Sequence, residues 1–195
     1  MIKYIHTVKE KLSEKFHLLK TKVYKSNFGP KVFCIGYNKT GTTTVGKSLE
    51  ILGFRNSSFN KTVWRKYYKT GDLEKIIKYT SRFESFDDLP WLKEDIIPIM
   101  DKKFPNSKFI YLERDETSWK SSFKNWNIKV TGKAPNVEVG WEKYLKHRLF
   151  VFSYFKGRED DLLVLQVNDP NGFKKLGEFL GRKSPQLNFP HFNKT

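Results

Sequence analysis

The stretch Val32-Phe33-Cys34-Ile35-Gly36-Tyr37-Asn38-Lys39-Thr40-Gly41-Thr42-Thr43-Thr44 decides the fold class of this chain. Its first four residues form a short apolar run, which is typical of a buried β-strand. Gly36 to Thr44 is predicted as a turn, and Val45 to Leu52 as a helix that ends at Gly53. This order of elements predicts an anion-binding site, because the first N–H groups of a helix have no partners within the helix.

The side chains of the turn also suit a phosphate group. Gly36 and Gly41 let the backbone come close to phosphate oxygens, and the threonine hydroxyls add hydrogen-bond donors. Lys39 supplies a mobile cation within the turn. The turn is therefore a candidate phosphate-binding loop.

A second phosphate-binding pattern overlaps this loop. Residues 41–48, Gly-Thr-Thr-Thr-Val-Gly-Lys-Ser, match the GxxxxGK[ST] pattern of nucleotide triphosphatases. In that register four residues would separate the loop from Gly36, where the strand ends, and Lys47 and Ser48 would lie inside the helix. We therefore favour the register that begins at Gly36, in which Lys47 is a solvated helix residue.

The loop resembles the 5′-phosphosulfate loop of sulfotransferases that use 3′-phosphoadenosine 5′-phosphosulfate (PAPS). Those enzymes carry a basic residue, one further residue and then Gly-Thr-Thr. Their second mark is a strand that ends in Arg, with Ser eight positions later on the next helix. Here the strand Phe109-Ile110-Tyr111-Leu112-Glu113-Arg114 ends in Arg, and Ser122 stands at the matching distance.

The resemblance implies a P-loop α/β fold, a three-layer sandwich with a central, mostly parallel sheet flanked by helices. It also implies PAPS as the donor, 3′-phosphoadenosine 5′-phosphate (PAP) as the product, and chemistry without a metal. The implied donor-binding residues are Asn38, Lys39, Thr40, Gly41, Thr42, Thr43 and Thr44 for the phosphosulfate, and Arg114 and Ser122 for the 3′-phosphate. The longer cytosolic members have an RKGxxG loop that this chain lacks, so the resemblance does not say how the adenosine is held.

The transfer needs a general base, because the acceptor hydroxyl or amine must lose a proton. Asp88 is the first candidate and Asp87 the second, since both follow a predicted strand that should end at the same sheet edge as the loop. Lys39 is the third catalytic residue, through its charge. The alternative for the aspartates is that one of them caps the next helix. His147 is expected to be a packed or hydrogen-bonded residue, and His6, His17 and His191 have weaker claims to be the base.

The domain organisation is predicted from composition and pattern. Apolar residues at steps of three and four between Ile5 and Val23 predict a basic amphipathic helical arm over residues 1–30, which packs on its own domain or, alternatively, makes a weak contact with a membrane surface. The alternation of strands and helices over residues 31–195 predicts one parallel sheet covered on both faces.

The chain has 37 basic and 21 acidic residues among 195, a formal net charge of +16, which favours an anionic partner. A single cysteine, Cys34, excludes an internal disulfide, and with no apolar run of membrane-span length we expect a cytoplasmic protein.

The expected partner is a small-molecule or glycan acceptor, with no specific nucleic acid. Two alternatives remain at this stage. One is a kinase or nucleotide hydrolase that uses Lys47 and Ser48 with magnesium. The other is a non-enzymatic module that binds nucleic acid or an anionic glycan.

Overall fold

The structure is a computed structural model, and it describes residues 24–190. Most of the predicted N-terminal arm, together with His6, His17 and His191, lies outside the described residues. Residues 24–30, the described part of the arm, contain no helix. They include the sequence Asn27-Phe28-Gly29-Pro30, which is expected to end a helix. The division into an arm and a domain stays a prediction.

In the described part of the chain, five strands form one sheet in which every pairing is parallel, so the predicted α/β fold class is confirmed. The strands are β1 (Val32–Cys34), β2 (Asn56–Ser57), β3 (Ser85–Asp87), β4 (Lys108–Leu112) and β5 (Leu162–Leu165). Their order across the sheet is β2-β3-β1-β4-β5, with β1 in the centre. The chain thus builds one side of the sheet first and then crosses to the other, and the crevice at such a switch point is where ligands bind in this class of fold.

Within residues 24–190, six α-helices lie between and after the strands. They are α1 (Thr42–Ile51), α2 (Leu73–Thr80), α3 (Ile97–Lys103), α4 (Glu116–Thr131), α5 (Val137–Tyr154) and α6 (Gly172–Phe179). A π-helical segment at Val63–Tyr68 and a 3₁₀ turn at Glu159–Asp161 complete the described elements. Within residues 24–190, none of the helices combines the length and the apolar composition that crossing a bilayer requires.

The sheet has an apolar core on each face, as a parallel sheet covered by helices requires. Alternate residues of β1 divide between them: Phe33 and the following Ile35 belong to one core, and Val32 and Cys34 to the other. The first core also takes in residues of α2, α3 and the end of α5, and the second takes in residues of α1 and α6. Cys34 is fully buried and is therefore a core residue, as its position in the strand predicts.

Three local differences from the sequence prediction have physical reasons. The sequence does not predict strand β2, because its two residues are polar and form a strand only by pairing with β3. The sequence pattern over residues 91–104 predicts helical structure that is kinked or broken at Pro98. In the structure the helix begins only at Ile97, so the proline lies in its first turn, where a missing N–H costs nothing. The sequence pattern predicts a helix from Thr117 to Trp126, but α4 continues to Thr131 and is capped by Gly132, whose φ is 73°.

Candidate functional site

The loop between β1 and α1 is a tight turn at the carboxyl edge of the central strand. Two of its residues have left-handed backbone, Lys39 with φ 71° and Gly41 with φ 104°. The Thr40 side chain closes the turn, since its Oγ1 donates to the Tyr37 carbonyl at 2.7 Å. Helix α1 begins directly afterwards at Thr42, so its free N–H groups stand at the end of the loop, as an anion site needs.

Gly41 has a second reason to be glycine besides its backbone angle. A Cβ placed there would lie 2.5 Å from Cγ1 of Val167, in the segment that follows β5. Contacts this short do not occur, so any larger residue would push the two segments apart. The loop therefore packs directly against the chain that leaves β5.

Two carbonyl groups of the loop are held by side chains from the β4–α4 segment. Arg114 donates from Nη1 to the Lys39 carbonyl at 2.8 Å, and Trp119 donates from Nε1 to the Asn38 carbonyl at 2.8 Å. Peptide carbonyls repel an anion, so satisfying both with donors favours phosphate binding by the loop. The two motifs singled out in the sequence are thus in direct contact.

The ammonium group of Lys39 lies among charges of both signs. It is half-buried, and its Nζ lies 5.4 Å from the centre of the Trp126 ring on α4. Burial lowers the pKa of Lys39, the nearby charges of Arg114 and Lys129 lower it further, and the carboxylate of Asp88 opposes them. An anion placed between Lys39 and Arg114 would relieve this repulsion.

Helix α4 begins next to Arg114 and carries Ser122 two turns further on. Asp115 caps the helix by accepting from the Ser118 N–H at 2.9 Å. The Arg114 N–H donates to the Tyr144 hydroxyl at 3.1 Å, which ties this point to α5. Ser122 is buried and is three residues from Trp119, so both lie on the same side of α4.

The two aspartates that follow β3 have different surroundings. Asp87 is 1% exposed, and its carboxylate accepts from Asn56 Nδ2 at 2.6 Å and from Ser58 Oγ at 2.9 Å. Burial raises its pKa to about 6, against the lowering effect of these two donors. Asp87 thus joins the ends of β2 and β3 to α1, where Gly46 leaves room for it: a Cβ on Gly46 would overlap the carboxylate.

Asp88 is the more accessible of the pair. It is half-buried, with φ 75°, and its Oδ1 accepts from the Leu89 N–H at 2.7 Å. Burial raises the pKa of Asp88, while this hydrogen bond and the charge of Lys39 lower it. Of the two candidates for the base, Asp88 is the one whose charge acts on Lys39.

His147 is packed inside the protein, in the role its sequence position suggests. It is buried, and its Nε2 donates to the Ile35 carbonyl at 2.8 Å, just before the loop. Burial lowers its pKa, which opposes a charged form. The centre of the imidazole ring lies 5.4 Å from the centre of the Tyr37 ring, so His147 packs against the start of the loop.

Lys47 and Ser48, which the alternative triphosphatase register would use, lie inside helix α1 and outside the loop. Lys47 forms an exposed ion pair with Glu50 at 2.8 Å, three residues along the same helix. Ser48 is buried and donates from Oγ to the Thr44 carbonyl at 2.9 Å. Both residues lie within α1, beyond its first turn, so neither is placed in the loop. Residues 24–190 contain no group of three or more His, Cys, Asp or Glu side chains that could hold a metal ion.

The sequence prediction missed several residues that shape the site. Two of them are Trp119 and Trp126. Each lies three or four residues from Ser122 on the same helix, and this spacing indicates that they share its face. The sequence also gives no sign of a cavity of about 420 Å³. It is lined by Glu113, Val164, Leu165, Gln166, Asn168, Asp169 and Pro170, where the ends of β4 and β5 come together.

Comparison with known proteins gives a family. The structure is similar to the crystal structure of a gluconokinase from Sinorhizobium meliloti 1021, with a TM-score of 0.48 and 16% identity, over 80% of this chain and 97% of that one. A likeness at that level says nothing about activity. None of the curated proteins matches the chain. A family model for the sulfotransferase domain matches residues 31–141 and 130–195, which together make up most of the sequence. The chain therefore belongs to the sulfotransferase domain family.

Proposed function

We propose that this protein transfers a sulfuryl group from PAPS to a hydroxyl or amine of a small-molecule or glycan acceptor and releases PAP. The observation that carries the proposal is the contact between the Arg114 guanidinium and the Lys39 carbonyl. It joins the two phosphate-binding motifs into one site, as a donor with phosphates at its 3′ and 5′ positions requires. Membership of the family supports a transferase of this kind.

The residues present fit such a donor. The loop from Asn38 to Thr44 offers backbone N–H groups, hydroxyls and the Lys39 ammonium for the phosphosulfate. Arg114 and Ser122 offer a guanidinium fork and a hydroxyl for the 3′-phosphate. We place the adenosine in the cavity at the ends of β4 and β5, because Gly41 packs against Val167, whose chain neighbours Gln166 and Asn168 line that cavity.

The reaction is an in-line displacement at sulfur. The acceptor oxygen or nitrogen forms a bond to sulfur while the bond from sulfur to the phosphate oxygen breaks, and PAP leaves with that electron pair. Lys39 and the N–H groups of the loop stabilise the charge that builds on the leaving oxygen. The acceptor proton passes to the carboxylate of Asp88. We choose Asp88 over Asp87 because Asp88 is only half-buried and is near Lys39, whereas Asp87 is enclosed.

The test is to measure PAP binding and sulfuryl transfer from labelled PAPS separately in the wild type and in Lys39→Ala. Loss of a group that stabilises the leaving oxygen should lower turnover by about 100- to 1000-fold, while the protein stays folded. Lys124→Ala is the control, because it removes a solvent-exposed lysine of α4. Full turnover in Lys39→Ala, or no PAP binding by the wild type, would refute the proposal. Oligonucleotide binding that survives both Lys39→Ala and Arg114→Ala would favour the non-enzymatic module instead.

A further inference from the structure

The carbonyl oxygen of Asn38, in the middle of the loop, is held by a side chain that is enclosed in the protein. Trp119 is 0% exposed, and its Nε1–H donates to this oxygen at 2.8 Å. Because the indole is enclosed, it cannot touch a ligand that binds in the loop. Its contribution to the site therefore acts through the Asn38 carbonyl.

The bond to Asn38 fixes the direction of the next N–H group along the chain. A trans peptide unit is planar, and its C=O and N–H point to opposite sides. The Asn38 carbonyl and the Lys39 N–H belong to one such unit, so holding the carbonyl against the buried indole turns the Lys39 N–H away from Trp119. Within residues 24–190 no backbone carbonyl accepts from that N–H. The Lys39 N–H is therefore available to a ligand.

The next peptide unit of the loop is arranged differently. Its N–H, that of Thr40, donates to the Tyr37 carbonyl at 3.3 Å, and its carbonyl, that of Lys39, accepts from Arg114 at 2.8 Å. Arg114 thus supports a closed turn, whereas Trp119 orients a donor that the turn leaves free. Lys39 has φ 71°, and successive N–H groups around a left-handed residue form a concave cradle for an anion.

Neighbouring rings keep the indole of Trp119 in this orientation. Its ring is stacked on that of Phe123, with 4.7 Å between the centres, and lies 5.6 Å from the rings of Trp141 and Tyr144 on α5. Rings packed from both helices leave the indole little room to turn. Its Nε1–H therefore stays directed at the loop.

From this geometry we infer that Trp119 is a positioning residue of the donor site: by holding the Asn38 carbonyl, it directs the Lys39 N–H at the 5′-phosphate group of the donor. The inference rests on the proposed function and deepens it, because it assigns part of the donor affinity to a residue that the donor cannot touch. Without the indole N–H, the peptide unit is free to turn its carbonyl oxygen toward the phosphate, which repels it. The loss should fall on the 5′-phosphate and spare the 3′-phosphate, for which Arg114 and Ser122 are expected.

The experiment replaces Trp119 with β-(3-benzothienyl)alanine in the full-length chain. This amino acid has a bicyclic ring of similar shape with sulfur in place of the N–H, so it keeps the packing and removes the bond. Trp119→Phe is a second variant. The same benzothienyl replacement at Trp141 is the matched control, because Trp141 lies in the same group of rings while the Asn38 carbonyl is bonded by Trp119.

Two ligands separate the two phosphate positions. Calorimetry gives the Kd of PAP and the Kd of adenosine 3′-phosphate, which lacks the 5′-phosphate. Urea denaturation of the same proteins gives their free energy of unfolding, so that a loss of stability is measured separately from a loss of affinity.

We expect the benzothienyl replacement at Trp119 to raise the Kd of PAP by about five- to 50-fold and to leave that of adenosine 3′-phosphate within about twofold of the wild type. Trp119→Phe should show the same pattern, together with a loss of stability from the smaller ring. The replacement at Trp141 should change neither Kd by more than about twofold.

An unchanged Kd of PAP in the benzothienyl variant of Trp119 would overturn the inference and leave the proposed function standing. Equal losses of affinity for the two ligands would also overturn it, since they would show a general disturbance of the site. A wild type that binds no PAP would refute the proposed function itself.

Discussion

The guanidinium of Arg114 and the peptide carbonyl of Lys39 meet at 2.8 Å, although 75 residues separate them in the chain. Arg114 follows β4 and Lys39 follows β1, and these strands are neighbours in the sheet. The arginine expected to bind the 3′-phosphate therefore also shapes the loop expected to bind the phosphosulfate. Lys39 has φ 71°, an unfavourable angle for a residue with a side chain, and this hydrogen bond helps to maintain it.

Arg114→Ala should consequently impair PAP binding through two losses, a charged ligand and the support of the loop. A hydrogen bond from a charged group contributes about 1.5 to 3 kcal/mol, so we expect the Kd of PAP to rise by about 10- to 150-fold. Arg114→Lys should not restore it, because one ammonium cannot serve the carbonyl and a phosphate as a planar fork does. Calorimetric titration with PAP measures the effect.

Arg158→Ala is the control for this prediction. Arg158 bonds to Asp101 at 2.7 Å and also to Asp161, and both partners lie outside the loop. Its removal should change stability but leave the PAP affinity unaltered. Comparable losses of affinity in Arg114→Ala and Arg158→Ala would mean that the net charge binds PAP and the local geometry does not.

The sequence predicts those parts of the fold that have a local cause. The apolar runs at Val32–Ile35 and Phe109–Leu112 predict β1 and β4, because a strand buried on both faces needs such a run. Strand β2 has no such signal: Asn56 and Ser57 are in a strand because Ser85 and Phe86 pair with them and because Asp87 binds the Asn56 side chain. These are long-range contacts that no local pattern contains.

The candidate site divides in the same way. Lys39 and Arg114 are recognisable because each stands in a motif that follows a strand, but their contact runs through a backbone carbonyl, which leaves no trace in residue types. The difference between Asp87 and Asp88 also depends on tertiary structure. Asp88 follows the last residue of β3 and has left-handed backbone, whereas Asp87 is enclosed by α1 and by its donors Asn56 and Ser58.

Lys47→Ala separates the two overlapping loop registers. In the structure Lys47 is an exposed helix residue paired with Glu50, an interaction that contributes little to stability. We therefore expect Lys47→Ala to keep PAP affinity and sulfuryl transfer within about twofold of the wild type, in contrast to Lys39→Ala. The assay should also include ATP with magnesium. If Lys47→Ala abolished a magnesium-dependent binding of ATP, the protein would be a nucleotide hydrolase or kinase and not a PAPS enzyme.

Gly46→Ala should destabilise the protein even though alanine favours a helix. A Cβ at this position would lie 2.3 Å from Oδ1 of Asp87 and 3.0 Å from the Asn56 side chain. To make room, the buried carboxylate would have to leave at least one of its donors, a loss of about 1 to 3 kcal/mol. Chemical denaturation measures the free energy of unfolding. Lys47→Ala, one residue further along the same helix, is the control. A variant Gly46→Ala as stable as the wild type would show that Asp87 can move without cost.

Asp87 should also make stability depend on pH. Its pKa is raised to about 6 in the folded protein, against 3.8 for the ordinary carboxyl, so between pH 4 and 6 the folded state binds more protons than the unfolded state. The free energy of unfolding therefore falls as the pH rises through this window, by roughly 1 to 3 kcal/mol from this group. Asp87→Asn should remove that decline, as urea unfolding at pH 4, 5, 6 and 7 would measure.

The control for this pH series is Asp72→Asn. Asp72 is an exposed helix cap whose pKa is lowered by Lys75, so it acts in the opposite direction and its loss should leave the decline in place. An unchanged slope in Asp87→Asn would contradict the assignment of the decline to the buried carboxylate.

Lys31→Met should stabilise the protein, because Lys31 is a buried lysine whose charge is poorly compensated. Among the described residues none accepts a hydrogen bond from its Nζ, which lies 5.4 Å from the centre of the Phe104 ring. Burial lowers its pKa, with the charge of Arg55 acting in the same direction and that of Glu84 against it. Methionine fills a similar volume without an ammonium group, and the backbone N–H of residue 31 can still donate to Ser107.

We expect Lys31→Met to raise the free energy of unfolding at pH 7 by about 1 kcal/mol in urea denaturation. Lys102→Met, at an exposed position of α3, should change it by less than about 0.5 kcal/mol. A lysine with a lowered pKa loses its proton in the folded state first, so wild-type stability should rise as the pH approaches 10.5, and the advantage of Lys31→Met should shrink there. A Lys31→Met variant less stable than the wild type at pH 7 would contradict this prediction. It would mean that the ammonium group makes a stabilising interaction in the folded chain.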